Sequence, residues 1–543
     1  MTERIPMTEY DATAGAFRWD VPDTFNFGAD VVDAWAEDPE RLAMIWCNAA
    51  GAERHLTFRD VSLTSNRLAD SFTTLGLRRG DRVLVVLPRI PEWQLTMVAC
   101  LKAGLIPIPC VEMLTARDLQ YRVEHAGARA VVCTAATTDK FAFAPQSLVR
   151  VSVGDAAGWH TFANLIEDGS DSFTAVRTGA DEPAIMYYTS GSSGHPKGVT
   201  HGARALYAWR VSAWYWLGLD EHDLMWCTAD TGWSKAGTSI LFGPWSCGTP
   251  VLFYDGPFDQ QHRLALLRRY GVTVFCAAAT ELRRLLREPL RAEDYPALRL
   301  TVSAGESVDP ATVKAWSETM GTPLLDGYGQ TETLMTVLNF APMPVKPGSM
   351  GRPLPGTEVA VLDDDHDRPA ARNVPGRLAI ASPNPQVMLG YWNDPDRTRT
   401  AMTMIGDQEY FITGDRVVMD EDGYLFYHGR DDDLINASGY RIGPLEVENA
   451  LMEHPAVQEC AAVGSPDPER GEVVKAFVVL REGYAGSEVL VRELQEHARG
   501  LTAPYKYPRK IAFVDDLPKT PTGKLRRRVL REQESAAPGR LEG

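Results

Sequence analysis

Short β-branched runs recur between stretches of helical periodicity, at Arg82 to Leu87, Ala130 to Cys133, Val272 to Cys276 and Leu298 to Val302. A strand flanked by helices reaches its partner strand by a crossover. The alternation therefore predicts an α/β fold with parallel sheets covered by helices. Residues 341 to 348 carry three prolines and a glycine, which neither a helix nor a central strand tolerates, so this segment is expected to be a connector. After Gly348 the pattern changes to short strands with turns, at Glu358 to Leu362, Gly376 to Ile380 and Gly423 to Tyr427, predicting a small antiparallel sheet or barrel-like subdomain. An amphipathic helix at Pro444 to His454 and two α/β units are expected to follow, with fraying beyond Arg531.

A chain of 543 residues is too long for one core, and 44% hydrophobic residues suffice for two or more. The balance of 55 basic and 72 acidic residues gives a net charge of −17, which argues against nucleic acid or an anionic membrane as partner. Eight cysteines without a C-x-x-C pair read as reduced and mostly buried. The start of the chain lacks a basic stretch followed by an apolar run, so a cytoplasmic protein is expected. The most apolar region, Arg82 to Met113, is interrupted by Arg89, Glu92 and Lys102, so it reads as a βαβ segment and not as a membrane span.

The apolar run Ala184 to Tyr188 feeds Thr189, Ser190, Gly191, Ser192, Ser193, Gly194, His195, Pro196 and Lys197. Glycines free the backbone amides to face an anion, hydroxyls add donors, and Lys197 adds charge, so this loop suits phosphate. It is not a Walker A loop, because Pro196 stands where the second glycine is required. Nor is it a nucleophile elbow, since His195 occupies a required glycine position. The residues alone leave a solvated surface turn as the other reading.

Five further segments follow in order: Ser303 to Ser307, Asp326 to Thr333, Tyr410 to Asp415, Gly429 to Arg441, and Pro518 to Leu525 with Lys524. Together with the loop they resemble the adenylate-forming superfamily of acyl-CoA synthetases, adenylation domains and luciferases, over nearly the whole chain. Asp230 to Trp233, Ser438 to Arg441 and Thr502 to Lys510 look most like medium-chain acyl-CoA synthetases.

The resemblance implies a large N-terminal domain, 1–431, and a small mobile α+β domain, 432–543, turning about Asp432. It implies an ATP-dependent ligase that joins a carboxylic acid to AMP, releases pyrophosphate and passes the acyl group to CoA. The loop from Thr189 to Lys197 would hold the phosphates and Glu332 would hold Mg²⁺. Gly305, Glu306 and Ser307 with Tyr328 would form the adenine wall, inside the segment Asp326, Gly327, Tyr328, Gly329, Gln330 and Thr331. Asp415 would take the ribose hydroxyls, Arg430 ribose or phosphate, and Lys524 the adenylation transition state. Ser438, Gly439 and Tyr440 would line the pantetheine tunnel, with Arg441, Arg470 and Arg509 on CoA phosphates.

For the acid, Trp233, Ala278, Ala279, Thr331 and Leu334 are the pocket residues implied, mostly apolar, and Leu334 departs from the glycine often seen there. A medium-chain, branched or aromatic acid is expected. Two other readings stay open: an adenylating enzyme that loads a carrier protein or amino acid, with Asp230 on an amine, and a silent acyl-nucleotide sensor. Further expected partners are a second copy of the chain, as a homodimer, and a lysine acetyltransferase and deacetylase acting on Lys524.

Overall fold

A computed structural model describes residues 4–189, 196–363, 368–430, 433–437, 440–467, 471–502, 506–519 and 525–536. The expected alternation produces two parallel sheets. The first orders its strands Ile106–Pro109, Arg82–Val86, Ala130–Thr134, Val149–Val153 and His160–Thr161, all parallel. The predicted βαβ segment lies here. Its helix Pro91–Lys102 is buried nearly all round, and Lys102 carries its charge into the core, where Nζ donates to Asp33 Oδ1 at 2.6 Å and Asn66 Oδ1 at 2.7 Å. A buried ammonium needs such partners.

The second sheet runs parallel through Leu42–Asn48, Val251–Asp255, Met225–Cys227, Val274–Cys276, Leu300–Ala304 and Leu324–Gln330. It continues antiparallel through Leu334–Leu338, Ser349–Pro353, Leu425–Arg430, Gln408–Met419, Gly376–Ser382 and Val359–Leu362. The sheet or barrel-like subdomain expected after Gly348 is thus an antiparallel extension of the main sheet, and its path is open among the described residues. The proline-rich connector at 341–348 carries no strand or helix.

The C-terminal residues form a separate five-stranded sheet in which Gly471–Leu480 pairs with Ile435–Ala437, Val457–Asp467 and Lys510–Phe513. Its main core cluster, with Ile435, Val447, Val478 and Leu494, draws only on residues after 432. The expected helix spans Pro444–Met452. The expectation of fraying beyond Arg531 is corrected: helix Arg527–Ala536 runs past it, because Glu534 accepts from Ser465 Oγ at 2.8 Å and Lys475 Nζ at 2.7 Å. Among the described residues no helix is long and apolar enough to cross a membrane. All eight cysteines are free, and seven are buried.

Candidate active site

The phosphate-type loop joins two antiparallel strands, Pro183–Thr189 and Lys197–Gly202, with Thr189 paired to Lys197. The buried run predicted at 184–188 is the first of these strands, while Ser190 to His195 lie outside the described residues. The second strand pairs with Gly390–Tyr391, and Gly198 is tight enough that a Cβ would stand 3.1 Å from Met186 Sδ and from Trp392 Cβ. This pairing places Lys197 Nζ 5.2 Å from the centre of the Tyr391 ring. Tyr391 Oη in turn donates to Glu332 Oε1 at 3.0 Å. Burial, with Arg397 adding to it, pulls the Lys197 ammonium below its usual range, while Glu332 pulls the other way and Arg430 adds a further positive charge. Lys197, Glu332 and Arg430 therefore share one electrostatic neighbourhood.

Glu332 sits in the turn between Leu324–Gln330 and Leu334–Leu338. That turn is pinned from below: His201 Nε2–H donates to Thr331 O at 2.6 Å, and burial lowers the imidazole to about 4, so it is neutral. The backbone at Leu334 has φ +54°, in the left-handed region that glycine enters freely and leucine enters at a cost of about 1–2 kcal/mol. Gly329 faces it so closely that a Cβ would lie 1.9 Å from Leu334 O. Gly329 is thus required by the hairpin, as Gly327 is by Trp216 and Leu338, each within 3 Å of a Cβ there.

Asp415 is buried and gathers the polar ends of this region. Its Oδ2 accepts from Tyr328 Oη at 2.6 Å and Gln330 Nε2 at 2.5 Å, and its Oδ1 accepts from Tyr427 Oη at 3.3 Å. Arg430 Nε stands 3.8 Å from Oδ1, because Asp415 and Arg430 are register partners on adjacent strands. Burial, with the Asp415 charge adding to it, raises both tyrosines well above the usual phenol range.

The parallel register of Ala304 with Gly327 brings the turn at Gly305, Glu306 and Ser307 beside Tyr328. Glu306 uses its side chain locally, accepting from Thr280 N at 2.8 Å and Thr280 Oγ1 at 3.0 Å. Asp326 accepts from the backbone N–H of Gly327 at 2.9 Å and of Val308 at 3.3 Å, yet burial pushes its carboxyl up to about 8, with Glu306 adding to the effect.

Ala278 and Ala279 follow strand Val274–Cys276 after Ala277, and Trp233 precedes the short helix Ser234–Ala236. Ser234 Oγ lies 3.4 Å from Thr331 Oγ1, which ties this helix to the Glu332 turn. Asp230 is a turn residue: Oδ1 accepts from Gly232 N at 3.1 Å, as an Asx turn does. Two side chains here escaped the sequence reading. Lys235 Nζ donates to Ala304 O at 3.0 Å and faces the thiols of Cys227 and Cys276. Tyr391, the bridge between Lys197 and Glu332, left as its signal only an aromatic pair after Gly390.

In the small domain, Asp432, Ser438, Gly439, Arg470 and Lys524 lie outside the described residues. Tyr440 and Arg441 pair through their backbones with Ala437 and Asn436. Arg509 is exposed, with NH1 donating to Tyr507 Oη at 2.9 Å. His428 Nδ1, before position 432, pairs with Glu446 Oε1 after it at 2.8 Å.

The chain matches the AMP-binding enzyme family over residues 31–392 and the AMP-binding enzyme C-terminal domain over residues 446–524. Acyl-coenzyme A synthetase ACSM3, mitochondrial, of Mus musculus is 40% identical over 97% of this chain and 93% of the relative. Acyl-coenzyme A synthetase ACSM4, mitochondrial, of Rattus norvegicus is 40% identical over 95% of this chain and 91% of the relative. Among solved structures, the anthranilate CoA ligase AuaEII in complex with anthranoyl-AMP superposes with a TM-score of 0.86 at 28% identity, covering 95% of this chain and 99% of that one. A benzoate CoA ligase from Burkholderia xenovorans LB400 gives 0.84 at 30% identity, covering 93% and 100%.

Proposed function

The chain belongs to the AMP-binding enzyme family and is an AMP-forming acid–CoA ligase that uses ATP and CoA, and on that premise we propose that it activates an apolar, uncharged acid of medium-chain, branched or aromatic type. A carboxylate has no usable leaving group, so it is first joined to AMP with release of pyrophosphate, and the thiol of CoA then displaces AMP. The first step brings two anions together and builds charge at the α-phosphorus, which calls for converging cations and donors.

In our reading Thr189 to Lys197 hold the β- and γ-phosphates, and Asp415 takes the ribose diol by exchanging Gln330 and Tyr427 for the two hydroxyls. Exchanges of like hydrogen bonds cost little. Arg430 then faces ribose or phosphate, and Tyr328 with the backbone of Gly305 to Ser307 flanks adenine. Glu332 suits Mg²⁺, which commonly takes one or two carboxylates together with substrate phosphates. When bound there the ion would neutralise phosphate charge.

Lys524 would come to the carboxylate and α-phosphate for adenylation and leave again for thioester formation, as the small domain turns about Asp432. Ser438, Gly439, Tyr440 and Arg441 would then line the CoA tunnel, with Arg470 and Arg509 toward its phosphates. Acetylation of Lys524 would remove the charge that the first step needs. A reducing compartment, the cytoplasm in our reading, is supported by the eight free cysteines.

The observation that carries the reading is Asp415, a buried carboxylate joined to Tyr328, Gln330 and Arg430 beside the Lys197, Tyr391 and Glu332 group. The acid class is supported by the apolar walls Trp233, Ala278 and Ala279 and by the likeness to ligases for anthranilate and benzoate. The test is acid- and CoA-dependent pyrophosphate release across straight-chain, branched and aromatic acids, with the thioester identified by mass. One preferred class of thioester is expected. Pyrophosphate without thioester would transfer the second step to another acceptor, such as a carrier protein.

A further inference from the structure

Cys227 and Cys276 end two adjacent parallel strands and are register partners, so their side chains stand on the same face. Strand neighbours lie about 4.8 Å apart, inside the window of about 4.4–6.8 Å between Cα atoms that a disulfide spans. The two thiols act on each other's charge, and the Lys235 ammonium lies within electrostatic reach of both. Cys100, by contrast, feels burial alone, which raises its thiol. Here the neighbouring thiol and Lys235 favour the thiolate on Cys276, while burial pushes Cys227 up.

The pair also sits at the carboxyl ends of its strands. Beyond it the chain runs on to Trp233 on one side and to Ala278 and Ala279 on the other, three of the residues read above as the acyl pocket. Cys227 is 2% exposed and Cys276 0%, so the closed fold shields both thiols and an oxidant as small as hydrogen peroxide meets them only through local opening.

We propose that Cys227 and Cys276 form a dithiol switch in the wall of the acyl pocket, closed to a disulfide by hydrogen peroxide and reopened by thiol reductants. The gating half of this proposal rests on the pocket assignment. The Cys276 thiolate attacks one peroxide oxygen, the O–O bond breaks, and the departing hydroxide takes up a proton to become water. The Cys227 sulfur then attacks the resulting sulfenic acid, the S–S bond forms, and its thiol proton leaves with the hydroxyl as a second water. Two thiols lose two electrons, and one peroxide becomes two waters.

The experiment treats the full-length native protein with stoichiometric hydrogen peroxide, blocks the remaining thiols, and maps peptides by mass without reduction. A Cys227–Cys276 crosslink, two hydrogens lighter than the dithiol, is expected about tenfold faster than oxidation of any of the other six cysteines. Acid-dependent pyrophosphate release falls with it and returns with dithiothreitol, and glutathione disulfide has no effect. Cys227→Ser and Cys276→Ser each remove the crosslink. Lys235→Met keeps both thiols and slows it about tenfold. Equal oxidation of all cysteines, or a crosslink formed only after denaturation, overturns the switch. A crosslink that leaves pyrophosphate release intact overturns the gating and spares the ligase assignment.

Discussion

The region we propose for the nucleotide and the one we propose for the acid are built by different means. Around Asp415 every polar end meets another at a fixed distance, and the four segments 328–330, 415, 427 and 430 are tied by three hydrogen bonds and an ion pair. Around Trp233, Ala278, Ala279 and Leu334 the walls are shape, with one strained leucine as their most distinctive feature. Fixed chemistry needs fixed donors, so the nucleotide half tolerates little change. A pocket that senses volume is adjusted a methylene at a time.

The contrast is broken most severely at Lys524. Lys524→Ala is expected to cut acyl-adenylate formation by about 10²- to 10³-fold, the usual loss for a donor aimed at developing charge. Thioester formation from supplied acyl-AMP should survive, and single-turnover assays of the two half-reactions separate them. Asp432→Pro should give the opposite preference, sparing adenylation and slowing thioester formation; the reverse order would remove the hinge. Within the nucleotide half, Asp415→Ala strands Tyr328 and Gln330 as buried donors and removes the acceptor for the ribose. A fall of about tenfold to a hundredfold in kcat/KM for ATP is expected, the scale of charged hydrogen bonds.

Leu334→Gly sharpens the other half. Glycine occupies φ +54° without strain and vacates a side chain that is 3% exposed, so longer acids should gain on shorter ones. The gain should be about fourfold in kcat/KM per added methylene, from about 0.8 kcal/mol each. Leu334→Ala frees similar space but keeps the strained backbone. Competition between acids of increasing length reads both, and an unchanged preference would place Leu334 outside the pocket.

What the sequence disclosed follows the same division. Parallel strands such as Arg82–Val86 and Ala130–Thr134 could be read because apolar β-branched runs between helices admit few other arrangements. Glu332, Asp415 and Tyr328 were singled out by the resemblance, and the structure brings Tyr328 and Asp415 together. The pairings were not legible. Cys227 and Cys276 meet only through sheet register, and Glu534 holds the last helix through residues 59 and 69 positions away, which is why that tail read as frayed. Lys235 left one signal, a lone charge directly before the apolar stretch from Ala236 to Trp245. Asp230 could have served an amine, and only its contact with Gly232 N identifies it as a turn residue.

The smallest expected effect lies where the two halves touch, at Asp326. An aspartate in the unfolded chain titrates at about 3.9, whereas burial holds Asp326 at about 8 in the fold, with Glu306 adding to the effect. The folded protein therefore keeps this proton where the unfolded chain has lost it. By linkage its contribution to stability is complete below about pH 4 and is lost as the pH rises through about 8. Asp326→Asn carries no proton to lose but meets the Val308 N–H with an amide that donates, so it starts less stable. The deficit in Tm against the parent protein should shrink steadily from about pH 4 to about pH 8. Melting curves that stay parallel across that range would mean that Asp326 is ionised in the fold, with Lys235 as its counter-charge and no raised carboxyl beside the adenine wall.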